Sequence, residues 1–205
     1  MRSSFPYASA VAAGAIVGVC GPLLASAGGQ VGHAAHLVLS AGWGWAALAF
    51  CLGMMSEPRR RSAVTGAVSL LAAVLAYYLT KAGQGDFRSV DFHDPTGQTT
   101  YFSWDGFLSM TAVWGFFACL LGPALGMAGN AARNGPYRLP CRLVVPFVAI
   151  VETSMRLRVE APLQAPVVAT TWSATRAVAV GVVLVLVVHA VAGRRRRRSA
   201  GRVRA

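Results

Sequence analysis

The chain has 205 residues, 55% of them hydrophobic and only 13% charged, with a mean hydropathy of +0.53. Soluble domains carry about 25% charged residues, so too little polar surface remains to wrap a soluble core, and that class is excluded. The net charge is +12, from 18 arginines and the single Lys81 against 7 acids. Most of those arginines flank apolar blocks, which points to membrane topology and not to nucleic acid.

The first apolar block runs from Ala8 to Ala27 behind Arg2. Ala25-Ser26-Ala27 also fits a signal-peptidase site, and that reading stays open beside a retained span. Ala10, Gly14 and Gly18 recur every fourth residue, a stripe that lets a second helix approach closely. His33 and His36 follow a short glycine turn. Their spacing permits two metal ligands, but interfacial imidazoles are the plainer expectation.

The second block, Ala34 to Met54, carries Trp43 and Trp45 near its middle, away from the interface where Trp usually sits. They either pack against small-residue neighbours or line a cavity. Arg59, Arg60 and Arg61 then mark a cytoplasmic loop. The third block, Ser62 to Thr80, ends in Tyr77 and Tyr78, as for an outer aromatic belt. Lys81 to Asp105 is the longest polar stretch and reads as a loop. Within it Asp91, His93 and Asp94 form the one acid/histidine cluster, a weak candidate for an external cation site. The fourth block, Gly106 to Ala128, is entered through Tyr101, Phe102 and Trp104. Its Gly122-Pro-Ala-Leu-Gly126 permits a kink and close packing.

The stretch Arg142 to Val159 contains Glu152, the only acid well inside a segment that reads as lipid-embedded. A carboxylate there costs roughly 2.5–3.5 kcal/mol or more, so it is usually retained for a reason. Its apolar part is too short for a ~30 Å hydrocarbon core. It is therefore either a re-entrant half-helix or a span extended from Cys141 to Glu160 with Arg156 and Arg158 snorkelling. Glu152 and Arg156, four apart, can pair on one helix face. Glu160 to Trp172, with Pro162 and Pro166, reads as a short loop, and a sixth block, Ala177 to Ala192, then precedes Arg194–Arg198, Arg202 and Arg204.

These blocks predict an all-α, polytopic transmembrane bundle of six spans, the fifth short or re-entrant. Residues 1–193 form a single transmembrane domain and 194–205 a basic cytoplasmic tail. With both ends cytoplasmic, 14 arginines lie inside (Arg2, Arg59–Arg61, Arg133, Arg138, Arg142 and seven in the tail). Five basic residues lie outside: Lys81, Arg88, Arg156, Arg158 and Arg176. Gly21-Pro-Leu-Leu-Ala-Ser-Ala-Gly-Gly29 is similar to Gly122-Pro-Ala-Leu-Gly-Met-Ala-Gly-Asn130, and a duplication at that offset would be a 3+3 inverted repeat. The cysteines (Cys20, Cys51, Cys119, Cys141) show no CxxC or Cys/His spacing and read as unbridged apolar residues. Neither a metal nor another cofactor is expected.

Ser40, Trp43 and Gly53, the Tyr77-Tyr78 pair, Gly122-Pro-Ala-Leu-Gly126 and the embedded Glu152 together resemble a family of uncharacterised small multi-spanning membrane proteins of high-GC Gram-positive bacteria. The resemblance covers residues 8–155. It implies a multi-span fold and no particular activity.

Two functions follow from the residues. One is a small transporter or channel-like protein in the plasma membrane. Its intramembrane polar site would be Glu152 and Arg156, with Tyr77, Tyr78, Trp43 and Trp45 as cavity residues, and the carboxylate would bind a cation or relay a proton. The other is an accessory protein without transport or catalysis of its own, assembling with itself or with a membrane partner, its arginine tail on anionic lipid headgroups. For Glu152 a purely structural pair with Arg156 is the competing role. No nucleophile elbow, HExxH or phosphate-binding loop is present, so an enzyme is not expected.

Overall fold

A computed structural model describes residues 5–90, 99–133 and 137–202. The chain is helical almost throughout: α1 (Phe5–Ser26), α2 (Gly29–Ser40), α3 (Gly42–Met55), α4 (Arg59–Gln84), α5 (Trp104–Arg133), α6 (Arg138–Val159) and α7 (Pro166–Arg202), with a short hairpin of β1 (Arg88–Val90) and β2 (Thr100–Phe102) between α4 and α5. The strands are antiparallel, with Ser89 opposite Tyr101. The polar stretch read as a loop thus holds the end of α4 and this pair of strands. α4 continues to Gln84 and stops at Gly85, whose left-handed backbone (φ +88°) turns its N–H back onto the last carbonyls.

Among the described residues, four helices are long and apolar enough to cross a bilayer: Tyr7–Ser26 in α1, α4, α5 and Pro166–Ala192 in α7. The second apolar block is not one straight rod. It breaks at Ala41 into α2 and α3, bent by 59°, and together these make a fifth candidate span. α6 does not pass by composition, since it carries Arg138, Arg142, Glu152, Arg156 and Arg158.

Backbone contact through small residues builds the main bundle. α1 runs parallel to α4, with Gly14 against Ser69 and Gly18 against Ala73, so close that a Cβ on either glycine would collide with a backbone carbonyl of α4. The fourfold stripe Ala10/Gly14/Gly18 is therefore a packing face, and Ala10 is fully buried. α3, α4 and α5 converge at the Gly122–Gly126 segment. A Cβ on Gly126 would strike the Ser62 carbonyl of α4, and one on Gly53 of α3 would strike Gly126 itself. Beside this crossing, Asn130 Nδ2 and Ser62 Oγ both donate to the Ser56 carbonyl at 2.8 Å, and Arg133 pairs with Glu57 at 2.8 Å. The end of α5 and the turn between α3 and α4 thereby meet at one end of the bundle. Edge-on and tilted aromatic contacts run through Trp45, Tyr77 and Tyr78 to Phe87, Phe102, Trp104 and Phe107 at the other.

α6 and α7 form an antiparallel pair packed on each other, and they touch the bundle through α2, α3 and α5. α1 packs along α4, whereas α5 and α7, their counterparts at the repeat offset, make no contact. The packing therefore does not reproduce a 3+3 repeat. All four cysteines are free thiols.

Candidate functional site

A helix start leaves its first backbone N–H groups without partners, and they must be satisfied. At the break between α2 and α3 the residue before the helix is Ala41, extended at φ −72° and ψ 144°, with no side chain that can cap. The N–H groups of Gly44 and Trp45 turn back to the Ala41 carbonyl. Those of Gly42 and Trp43 are left over. Glu152, on the middle of α6, accepts both: Gly42 N–H donates to Oε1 at 3.0 Å and Trp43 N–H to Oε2 at 2.8 Å. The cap of α3 thus comes from another helix. Gly42 allows this approach, since a Cβ there would lie 3.2 Å from the carboxylate.

The positive end of the α3 dipole supports the carboxylate, and Arg156 completes it. Arg156 Nε and Nη2 both lie 2.9 Å from Glu152 Oε1. Its Nη1 donates to Glu160 at 2.8 Å. The guanidinium also lies over the indole of Trp172 in α7, 4.9 Å from the ring. One arginine therefore bridges two acids one turn to either side of it and stacks on a third residue, which its planar fork permits and a lysine would not. Glu152 retains about 20% of its side-chain surface and Arg156 about 30%.

On the other side of the break, Trp45 Nε1 donates to the Leu39 carbonyl at 2.9 Å, tying α2 to α3. His36 Nδ1 lies 2.8 Å from the Gly21 carbonyl. Ser40 Oγ lies 3.1 Å from the same nitrogen. No group of three or more possible metal ligands occurs among the described residues. Asp91, His93 and Asp94 lie outside the described residues.

The six residues proposed for one intramembrane site fall into two groups. Glu152, Arg156 and Trp43 meet at the start of α3. Trp45, Tyr77 and Tyr78 lie in the main core around Ala49, Leu70 and Val74, where Lys81 Nζ sits 5.7 Å above the Tyr77 ring. Gly42, Glu160 and Trp172 belong to the first group and escaped the sequence reading. Trp172 fell in the expected loop before the sixth block, yet α7 begins at Pro166 and Trp172 has no exposed surface. Two buried polar side-chain atoms among the described residues have no hydrogen-bond partner, and both belong to this region: Nε1 of Trp43 and Nε1 of Trp172. The Trp43 ring also borders an apolar groove of about 430 Å³ between α6 and α7, near Pro146, Ala149 and Val182.

The chain matches a family of unknown function (DUF6518) over residues 3–204. It belongs to that family. No curated protein and no solved structure matches it. Membership accounts for nearly the whole chain, and assigns no chemistry to the Glu152 cluster.

Proposed function

We propose that this protein is an integral membrane protein with six crossings and both ends on the cytoplasmic face, and that it passes small solutes or ions through a site built on Glu152, Arg156 and the start of α3. The observation that carries this reading is the broken span. Discontinuous helices whose N-terminal ends lie within the membrane are how many transporters hold charged cargo, and here that end is capped by the Glu152 carboxylate.

The form of α6 supports the sixth crossing. At 1.5 Å per residue its 22 residues span roughly 33 Å, enough for a ~30 Å hydrocarbon core. Its charges gather at the two ends, Arg138 and Arg142 at one, Arg156, Arg158 and Glu160 at the other. Of those nearer the middle there is only Glu152, and it is fully bonded. α6 starts beside the end of α5, where Arg142 Nε donates to the Ala132 carbonyl at 3.1 Å, and reaches the far end of α3. Reporter tags at the two ends should both be found on the cytoplasmic face of intact cells; tags on opposite faces would reject six crossings. In proteoliposomes, Glu152→Gln should change ion or proton flux relative to wild type at equal incorporation. Equal flux in the two proteins would reject the site.

A second reading, an accessory protein that assembles with a partner or with copies of itself, is favoured by how little of α5 and α7 the rest of the chain covers. Only 11% and 6% of their apolar windows are buried, against 28% for α1 and 33% for α4. Single-subunit counting in bilayers separates the two: a monomer with flux supports the first, a stable oligomer without flux the second.

A further inference from the structure

We infer that the groove between α6 and α7 seats one acyl chain of an anionic phospholipid whose phosphate is held by Arg142 and Arg138. Embedding in a bilayer, as proposed above, is presupposed; transport is not.

The groove has a volume of about 430 Å³ and is lined by Trp43, Pro146, Ala149, Ala174, Val178 and Val182 among others. That volume is in the range of ligand pockets. Apart from Thr175 the lining is aliphatic and aromatic. A polar solute would find little there to replace its water, whereas a hydrocarbon chain needs no partner. A helix of a second copy is too thick. At ~10–12 Å across, a segment as long as the ~10 Å from Arg142 to Ala149 fills on the order of 800–1,100 Å³. An acyl chain is thinner, and it can enter sideways from the bilayer, because Val178 and Val182 on the groove wall are exposed.

Charge selects the headgroup. Arg142 stands one turn before Val145 and Pro146, and Arg138 one turn before Arg142, so both arginines continue the α6 face that lines the groove. Among the described residues, Lys81, Arg133 and Arg156 each pair with an acid, and Arg138 and Arg142 with none. Arg142 Nε donates to the Ala132 carbonyl at 3.1 Å, which anchors the guanidinium at this end. Arg138 is exposed, and so is His189, which lies two turns past Val182 on α7 and brings a further hydrogen-bond donor to the same end. A phosphate suits such a set, since guanidinium donors match its oxygens. The depth agrees as well. From Arg142 to Ala149 is ~10 Å, inside the ~15 Å of one leaflet, half of a ~30 Å hydrocarbon core. Trp43 ends the groove there, its backbone N–H bonded to Glu152 one turn beyond Ala149.

The test places the full-length chain in phosphatidylcholine bilayers and adds phosphatidylglycerol with brominated acyl chains, which quench a tryptophan they touch. Brominated phosphatidylcholine is the control, and Trp43→Phe identifies the Trp43 signal. Phosphatidylglycerol should quench Trp43 half-maximally at a mole fraction about tenfold lower than phosphatidylcholine does, from about 1 kcal/mol for each arginine. Arg142→Gln should reduce that preference by about fivefold, and Ala174→Phe, which fills the groove, should abolish quenching of Trp43 by both lipids. Equal quenching by the two lipids, or a preference that survives both Arg138→Gln and Arg142→Gln, would overturn the inference. If Arg142→Gln fails to reconstitute, Arg138→Gln decides alone with the same expected fivefold loss, since Arg138 is exposed and bonds to no other helix among the described residues. No quenching of Trp43 by either lipid in a protein that cross-links as a dimer would give the groove to a second copy and overturn the inference too. Its failure is separable from that of the function proposed above. A preference for phosphatidylglycerol without ion flux removes transport and leaves the lipid site, flux without the preference does the reverse, and extraction of the protein from membranes by alkaline carbonate removes both.

Discussion

The α1/α3/α4/α5 bundle and the α6–α7 pair are joined by different physics. In the bundle, glycines bring backbones into contact at Gly14, Gly18, Gly53, Gly66, Gly122, Gly126 and Gly129. The α6–α7 pair has only Gly181 among its described glycines, with nothing within 4 Å of where its Cβ would be. It is joined to α3 instead by a charge-assisted cap, and to α2 by the packing of Val168 and Trp172 against Ala41 and Leu37. If the surroundings are lipid, apolar area gives little drive for helices to associate, and close packing or hydrogen bonding must supply it. The bundle uses the first means and the pair the second. The first is spread along the helices; the second rests on a few polar groups, Glu152 foremost.

Four substitutions test this contrast, in order of expected effect. Gly126→Ala should be the most damaging, because the new methyl meets the Ser62 carbonyl with no side chain to move aside. A loss of about 3 kcal/mol is expected, read as reduced resistance to unfolding in mixed detergent micelles, and a loss no larger than that of an exposed alanine substitution would show that backbone contact is not what holds the bundle. Glu152→Ala should cost about 2 kcal/mol, as one acceptor of charge-assisted hydrogen bonds is removed. Hydrogen exchange should speed up at Gly42 and Trp43 and along α6 while the α1–α4 contact stays protected; uniform loosening of both regions would erase the distinction. Arg156→Lys should cost about 1 kcal/mol, because an ammonium cannot serve two acids and stack on Trp172 together, and the same unfolding assay reads it. Gly181→Ala should be neutral or stabilising by up to about 1 kcal/mol, since the helix interior favours alanine and the space is open. A destabilisation there comparable to Gly126→Ala would mean that α7 is covered by something besides lipid.

Much of this was legible in the residues. Apolar blocks located α1, α4 and α5 to within a few positions, because long uncharged runs leave few alternatives. The Ala10/Gly14/Gly18 spacing marked the face that packs on α4, and Glu152 with Arg156 at one-turn spacing formed the pair expected. The break at Ala41 was not legible. It has no proline, and glycine and alanine around it are equally common elsewhere in the chain. The carboxylate that caps α3 there lies 110 positions away, and local pattern carries no information on such a partner. For the same reason Trp43 and Trp45 could not be separated: two positions apart on a helix they face opposite ways, one toward α6 and the other toward Tyr77. Trp172 was hidden by the prolines at 162 and 166, which read as a loop, though Pro166 is the first residue of α7 and proline suits that position.

Gly126 serves two neighbours at once, α4 through Ser62 and α3 through Gly53. The spacing of these helices is therefore a shared quantity: widening one gap by a methyl group shifts the other. Adaptive change at this junction would have to proceed by paired exchanges, with bulk gained on one helix matched by bulk lost on the next.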